Sequence, residues 1–279
     1  MREGTVVTNG VRIWYAEHGD PRHPAVFLIP GATATADSFI PEYYEPIIDA
    51  GFRVIRIDNR DIGRSEWIDY AANPYTIEDM AADIVGVMDA FGIERAHLIG
   101  TSMGGMIAQT VALRWPQRVL TLTSQLSSPG ASDPSLPPMS EEIMRLAATP
   151  LSDDPEVRVE QRLRLFRALC GSRFPFDEES RRNQFRREID MHSNPNSAHA
   201  RVVQASPSRL HALHDLKIPT LIIHGTEDPN FHYEHAVAMA EAIPGATLYP
   251  MEGCGHEIPL SLYPEITAIV IRHLQSVSR

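Results

Sequence analysis

The chain has 279 residues, 43% of them hydrophobic and 22% charged, which favours one globular unit with a sizeable core. Its 36 acidic and 25 basic residues give a net charge of −11, which argues against binding nucleic acid or anionic lipid and favours a neutral or cationic partner. There is no apolar run of the length of a secretory signal or membrane span, and Cys170 and Cys254 do not form a CxxC pair. We therefore expect a cytoplasmic protein with reduced thiols.

Short apolar segments bounded by turn residues predict buried strands along most of the chain. Residues Thr76 to Phe91 are predicted to form a helix, because apolar residues recur at helical spacing and Gly92 follows. This alternation of strands and helices favours a mostly parallel sheet covered on both faces, an α/β fold. The predicted strands are Arg12 to Ala16, Val26 to Ile29, Arg53 to Asp58, Ala96 to Gly100, Val119 to Thr123, Thr220 to His224 and Ala246 to Met251.

The alternation breaks at Ser127, where the Pro- and Ser-rich connector SSPGASDPSLPP leads into helical patterns. The residues Ser152-Asp153-Asp154-Pro155 predict the start of one helix, because an acidic cap and a first-turn proline are typical of helix N-termini. A second, highly charged helix is predicted to begin at Asp177. We expect an inserted helical cap over residues 127–206, and a core formed by residues 1–126 and 207–279.

Residues Gly100 to Gly104 have the pattern G-x-S-x-G between a predicted strand and a predicted helix. This pattern is typical of a strained turn that presents a nucleophilic serine. Glycines suit the two outer positions, because larger side chains there would collide with the neighbouring strand and helix. We therefore predict that Ser102 is a nucleophile, which needs a base within hydrogen-bonding reach to remove its proton.

The base and its supporting acid are expected later in the chain, in the order Ser, acid, His. His256 ends the glycine-rich segment Gly253 to His256, just after the last predicted strand, and is the predicted base. Asp228 follows the preceding predicted strand and is the predicted acid, which would fix the imidazole tautomer. Glu227 remains the alternative acid, although the shorter Asp228 before Pro229 suits the short reach better.

A negative oxygen that develops during attack needs backbone donors already in place. One donor is expected from the residue after the nucleophile, Met103, which also opens a helix. The other is expected from Ala32, which follows Pro30 and Gly31 directly after a predicted strand. The sequence therefore predicts an oxyanion hole formed by the N–H groups of Ala32 and Met103.

Together these residues resemble the α/β-hydrolase fold superfamily over residues 1–126 and 207–279, and most of all bacterial carboxylesterases of the aclacinomycin methylesterase type. The segment Asp58 to Ser65, DNRDIGRS, resembles the family loop D-x-R-G-x-G-x-S, with Asp61 in place of its first glycine. This loop either braces the sheet edge or contacts substrate. Many members have His where this chain has Pro30. The resemblance implies an eight-stranded, mostly parallel sheet flanked by helices, with an inserted helical cap.

The resemblance also implies cleavage of a carboxylic ester through an acyl-enzyme, without a cofactor or a metal ion. Lactonases, thioesterases, carbon–carbon bond hydrolases and cofactor-free haloperoxidases share the same triad and remain alternatives, whereas Ser102 argues against relatives with an aspartate nucleophile. A ligand sensor that retains the triad is the alternative from another class. The histidine pairs His211/His214 and His232/His235 lack the HExxH pattern of a zinc site and are interpreted as surface residues.

An apolar small-molecule ester is the expected substrate, because the predicted cap carries several large apolar side chains. These side chains either line the substrate pocket or pack the cap itself. They are Met139, Met144, Leu146, Phe166, Phe174 and Phe176.

Overall fold

The computed structural model describes residues 1–192 and 194–277, and only the backbone of residues 189–192. Eight strands lie in these residues: β1 (Arg2–Thr8), β2 (Val11–His18), β3 (Ala25–Ile29), β4 (Arg53–Ile57), β5 (Ala96–Thr101), β6 (Val119–Gln125), β7 (Thr220–Gly225) and β8 (Thr247–Met251). They form one sheet in the order β1-β2-β4-β3-β5-β6-β7-β8. The β1–β2 and β2–β4 pairs are antiparallel, and the five other pairs are parallel. The predicted mostly parallel, eight-stranded sheet is confirmed.

The seven strands predicted from the sequence are all present, with ends that differ by a few residues at most. The strand that the sequence reasoning missed is β1, at one edge of the sheet. Most of its side chains are exposed or half-buried, so it has no apolar run of the kind that identified the other strands.

The described residues contain nine α-helices, which flank the sheet or lie between β6 and β7. They are α1 (Pro41–Asp49), α2 (Ile77–Ala90), α3 (Met103–Arg114), α4 (Glu141–Ala147), α5 (Pro155–Leu169), α6 (Glu178–His192), α7 (His199–Ala205), α8 (Tyr233–Ala242) and α9 (Tyr263–Leu274). The predicted helix over Thr76 to Phe91 is α2, and its first turn is closed by a reciprocal pair of hydrogen bonds between Thr76 and Asp79.

Buried apolar clusters lie on both faces of the sheet. Along β3, Phe27 and Ile29 pack into the cluster formed with α2, α3 and α8. Val26 and Leu28 point the other way, into the cluster formed with α1 and α9. This alternation, with every side chain of β3 buried, is the pattern expected for a central strand covered by helices on both faces.

Four helices, α4 to α7, lie between β6 and β7, where the sequence predicts the cap. We call residues 127–206 the inserted segment. Helices α5 and α6 share a small apolar cluster in which Phe166 and Phe176 pack around buried Val159, Leu163 and Phe185. Two of the large apolar side chains considered for the pocket therefore pack the inserted segment itself.

The last helix of the inserted segment, α7, packs on the main fold instead. Val202 and Val203 of α7 belong to the large cluster that also contains residues of α2 and α3. Burying two valines in this way stabilises the contact by about 3 kcal/mol or more in total. In the described part of the chain, no helix combines the length and the apolar character that crossing a membrane requires.

Candidate active site

Ser102 lies in a sharp turn between β5 and α3. Its backbone has φ 54° and ψ −120°, a conformation that costs a residue other than glycine about 1–3 kcal/mol. A Cβ atom on Gly100 would lie 2.1 Å from the carbonyl oxygen of Gly104, and one on Gly104 would lie 2.0 Å from that of Ile29. The structure thus provides the steric reason for both glycines of the G-x-S-x-G pattern.

Ser102, His256 and Asp228 lie in one hydrogen-bonded line, although 154 residues separate the serine from the histidine. The Oγ atom of Ser102 is 3.1 Å from Nε2 of His256, and Nδ1 of His256 is 2.6 Å from Oδ2 of Asp228. A carboxylate only accepts hydrogen bonds, so Nδ1 carries the hydrogen and the lone pair of Nε2 faces the serine hydroxyl. This is the arrangement in which an imidazole can remove the proton of a serine.

The carboxyl group of Asp228 is completely buried and densely hydrogen-bonded. Its Oδ1 accepts from the N–H groups of Asn230 and Phe231 at 2.8 and 2.9 Å, and its Oδ2 lies 3.2 Å from Nε2 of His224. Burial alone raises the pKa of Asp228, but the charge and hydrogen bonds of His256 and His224 lower that pKa well below its ordinary value. Asp228 is therefore ionised at neutral pH.

The alternative acid, Glu227, is engaged elsewhere. It is exposed, and its two carboxylate oxygens accept hydrogen bonds from the N–H and the hydroxyl of Ser172 at 2.6 and 2.7 Å. These bonds lower the pKa of Glu227. The geometry favours Asp228 as the residue that orients His256.

The two predicted oxyanion donors flank the serine. Met103 is the first residue of α3, and a Cβ atom on Gly31 would lie 3.2 Å from Cβ of Ser102, so the loop carrying Ala32 passes close to the nucleophile. Among the described residues, neither the Ala32 nor the Met103 N–H donates a hydrogen bond within the protein. Both groups are available to a bound oxyanion, and their role as donors remains a prediction.

The sequence reasoning missed Asn230, whose side chain reaches the same imidazole. Its Nδ2 lies 3.3 Å from Nε2 of His256, so its amide donates to the lone pair that also faces the hydroxyl of Ser102. The sequence Asp228-Pro229-Asn230 could have indicated this position. An aspartate side chain often accepts a hydrogen bond from the backbone N–H two residues later, and this bond would place Asn230 beside Asp228.

The loop that carries His256 packs tightly against the end of α5 in the inserted segment. The N–H of His256 donates to the carbonyl of Leu169 at 2.7 Å, and the N–H of Arg173 donates to the carbonyl of Gly253 at 3.0 Å. A Cβ atom on Gly255 would lie 1.9 Å from the carbonyl oxygen of Leu169. The glycines before His256 therefore permit close contact between the two backbones, a reason that the sequence alone did not reveal.

Both cysteines, Cys170 and Cys254, are free thiols beside this contact. Cys170 donates to a carboxylate oxygen of Glu257 at 3.1 Å, and Glu257 also forms an ion pair with Arg181 of α6 at 2.7 Å. Burial raises the pKa of Cys170 to about 12 and that of Cys254 to about 11. Both thiols are therefore protonated and poorly nucleophilic at neutral pH.

The interpretation of His235 as a surface residue was wrong. His235 is buried, with Nε2 donating to the carbonyl of Pro137 at 2.8 Å and Nδ1 accepting from the hydroxyl of Ser128 at 2.9 Å. His235 therefore holds the connector that follows β6. The spacing of residues along α8 does not reveal this contact, because its partners lie in a distant segment of the chain. Within the described part of the chain, no three His, Cys, Asp or Glu side chains come together in a way that could hold a metal ion.

The segment Asp58 to Ser65 follows β4 and is held by hydrogen bonds of the kind expected for a bracing role. Asp58 accepts from the N–H of Ala36 at 2.7 Å and from that of Arg64 at 2.8 Å, and the hydroxyl of Ser65 donates to the carbonyl of Asp58 at 2.6 Å. Asp61 has a φ of 68°, in the left-handed region where glycine is usual. The position that is a glycine in the family loop thus has a left-handed backbone in this chain as well, although Asp61 occupies it.

Comparison with known proteins places these features in context. The family description "alpha/beta hydrolase fold" matches residues 24–261. The chain is 33% identical over 298 aligned positions to rhodomycin D methylesterase DauP of Streptomyces sp. (strain C5), with 98% of each chain covered. It is 28% identical over 251 positions to a 2-hydroxy-6-oxononadienedioate/2-hydroxy-6-oxononatrienedioate hydrolase of Paraburkholderia phymatum, with 88% of this chain and 85% of that protein covered. The crystal structure of esterase RhEst1 from Rhodococcus sp. ECU1013 superposes with a TM-score of 0.83 at 20% identity, covering 99% of both chains.

Proposed function

This chain belongs to the α/β-hydrolase fold family, and from that premise we propose that it is a serine hydrolase that cleaves a carboxylic ester through Ser102, His256 and Asp228. The observation that carries the proposal is the hydrogen-bonded line from the hydroxyl of Ser102 to Nε2 of His256 and from Nδ1 to Asp228. The strained backbone of Ser102 supports it, because backbone strain of this kind is typical of functional sites.

In the first half-reaction, Oγ of Ser102 attacks the ester carbonyl carbon while Nε2 of His256 takes the hydroxyl proton. The carbonyl oxygen becomes negative and accepts hydrogen bonds from the N–H groups of Ala32 and Met103, and the positive end of α3 favours the same charge. The tetrahedral intermediate then breaks its bond to the alcohol oxygen, which leaves with the proton from His256. Asp228 stabilises the imidazolium that exists between these steps.

In the second half-reaction, water attacks the acyl-enzyme. His256 takes one proton from the water as its oxygen bonds to the acyl carbon, and the new tetrahedral intermediate expels Oγ of Ser102, which regains the proton. The carboxylic acid leaves and the enzyme returns to its starting state. Every proton that is transferred in the cycle passes through Nε2 of His256.

We propose a small-alcohol ester of a larger apolar acid as the substrate. A methylesterase is among the relatives that are similar along the whole chain, and the net charge of −11 disfavours polyanionic substrates. The ring of Phe231 packs edge-on against the imidazole of His256, with the ring centroids 5.6 Å apart, so an apolar group lies beside the reacting histidine. A cytoplasmic location is proposed as well, and two unpaired cysteines agree with it.

The test combines labelling and turnover. The purified protein is treated with a fluorophosphonate probe and assayed with p-nitrophenyl esters of increasing acyl length, beside Ser102→Ala and a matched variant, Ser180→Ala, at an exposed serine of α6. We expect labelling and turnover in the wild type and in Ser180→Ala, and neither in Ser102→Ala. Full activity in Ser102→Ala, or a wild type that is neither labelled nor active, would contradict the proposal.

Carbon–carbon bond hydrolysis is the second candidate, because one relative that covers most of the chain is named a 2-hydroxy-6-oxononadienedioate/2-hydroxy-6-oxononatrienedioate hydrolase, whose substrate carries a ketone and no ester. A 2-hydroxy-6-oxodienoate added to the substrate panel separates the two activities. Ester turnover well above dienoate turnover is the expected result. A labelled Ser102 with no turnover of either substrate class would instead favour a ligand sensor that retains the triad.

A further inference from the structure

The loop after β3, residues 31–34, has a backbone conformation that its sequence does not favour. We call it the oxyanion loop. Thr33 has a φ of 58°, in the left-handed region, which is an outlier for a β-branched residue. The N–H of Ala34 closes a turn on the carbonyl of Gly31 at 3.3 Å, whereas the N–H of Thr33 donates outwards to Nδ1 of His199 at 3.0 Å. A side chain from the inserted segment therefore holds the strained residue of this loop.

His199, the first residue of α7, is suited to accept that bond. It is completely buried, and its Nε2 lies 2.7 Å from the carbonyl oxygen of Arg60. A carbonyl only accepts, so Nε2 carries the hydrogen and the lone pair of Nδ1 faces the N–H of Thr33. Burial lowers the pKa of His199, opposed in part by Arg60 and Asp61, so the neutral imidazole keeps its acceptor at neutral pH. Both ring nitrogens are committed to backbone groups.

The position of His199 is set in turn by Asp61, the residue that replaces the glycine of the resembling loop. Its Oδ2 accepts from the N–H of Ala198 and the hydroxyl of Tyr75, each at 2.8 Å. Its Oδ1 accepts from the side-chain amide of Asn194 at 2.8 Å and from the N–H of Ile68 at 2.9 Å. One buried carboxylate therefore ties the start of α7 to the sheet edge, directly beside His199.

We propose that His199 is a positioning residue for ester hydrolysis, which holds the oxyanion loop so that the N–H of Ala32 faces the oxygen that becomes negative. This inference rests on the function proposed above. The N–H of Thr33 belongs to the peptide that joins Ala32 to Thr33, so its bond to His199 fixes the backbone on one side of the donor residue. The oxyanion hole is then complete only when α7 is docked on the sheet.

Two amide substitutions separate the two bonds of His199, because each places a polar atom near the position of one ring nitrogen. In His199→Asn, Oδ1 takes the place of Nδ1 and still accepts from Thr33, but the donor to Arg60 is lost. In His199→Gln, the amide nitrogen takes the place of Nε2 and still donates to Arg60, but the acceptor for Thr33 is lost. Each variant loses one buried hydrogen bond, so both should lose similar thermal stability. They differ in whether the oxyanion loop is held.

The readouts are kcat and KM for p-nitrophenyl acetate, and the affinity for a phenyl trifluoromethyl ketone, which binds as an anionic tetrahedral adduct. Removal of an oxyanion donor costs about 10²–10³ in kcat, so we expect a misplaced donor in His199→Gln to lower kcat about tenfold or more. The ketone should bind more weakly by a similar factor, with KM nearly unchanged. His199→Asn should keep kcat within about threefold of the wild type.

Equal kcat values for the two variants, at equal loss of melting temperature, would overturn the inference and leave the triad proposal intact. A wild type that is neither labelled at Ser102 nor active would instead overturn the function, and the inference with it. If His199→Gln does not fold, Asp61→Asn tests the same chain of contacts, because its amide nitrogen would face groups that are already donors. That variant should also lose kcat with little change in KM, and an unchanged kcat would count against the inference.

Discussion

The backbone strain at Ser102 predicts an unusual order of stability for two inactive variants, Ser102→Gly and Ser102→Ala. Both lack the hydroxyl, so the lost bond to His256 cancels between them. The φ of 54° and ψ of −120° cost a residue with a Cβ about 1–3 kcal/mol in the folded state. Glycine avoids this cost, but it makes the unfolded chain more flexible, which lowers the free energy of unfolding by about 0.5–1 kcal/mol. The glycine variant should therefore have the larger free energy of unfolding, by up to about 2.5 kcal/mol.

Urea denaturation of both variants, followed by circular dichroism, measures this difference directly. Ala238 in the middle of α8 supplies the matched control, since Ala238→Gly replaces a residue with ordinary helical geometry and should be destabilised by about 1 kcal/mol. The sign of the Ala-to-Gly effect should thus reverse between the two sites. If Ser102→Gly were no more stable than Ser102→Ala, the strain argument would fail.

Three further outcomes follow from the geometry. Asp228→Asn should lower kcat by about 10⁴-fold with little change in KM, because the imidazole loses the acceptor that fixes its tautomer. Steady-state kinetics measure this effect, and a loss of kcat below tenfold would contradict the prediction. Gly104→Ala places a Cβ atom 2.0 Å from the carbonyl oxygen of Ile29, so its free energy of unfolding should fall by more than about 3 kcal/mol, and a variant as stable as the wild type would refute the packing argument. Burial lowers the pKa of His97 from 6.5 to about 4, so on acidification the unfolded state binds a proton before the folded state does. The free energy of unfolding should therefore fall by up to about 3 kcal/mol between pH 6.5 and pH 4. Urea titrations at the two pH values should show a smaller fall for His97→Asn, which keeps a hydrogen-bond partner for Thr121.

The parts of the fold that sequence reasoning predicted are those encoded in local patterns. Strand β3 is apolar throughout and β7 contains the apolar run Leu221 to Ile223, and the turn at Ser102 has its own signature. The edge strand β1 was missed because its side chains are mostly exposed. His235 was misjudged because its partners, Ser128 and the carbonyl of Pro137, lie about 100 residues away in the chain.

The candidate site divides in the same way. Chain order and glycine spacing were sufficient to select Ser102, Asp228 and His256, which the structure brings into contact. The bond between Thr33 and His199 spans 166 residues and joins the loop after β3 to α7. No local pattern encodes such a contact, because it depends on how the inserted segment packs on the sheet. Sequence therefore predicts the reacting groups better than the groups that hold them.

The acyl-enzyme on Ser102 is the most direct test of the proposed chemistry. The protein is mixed with p-nitrophenyl acetate, quenched in acid within the first turnover, digested and analysed by mass spectrometry. The proposal predicts one acetyl group on the peptide that contains Ser102, a burst of p-nitrophenol in the wild type, and no acetylated peptide in Ser102→Ala. Acetylation at another residue, or rapid turnover with no burst and no adduct under any of these conditions, would contradict it.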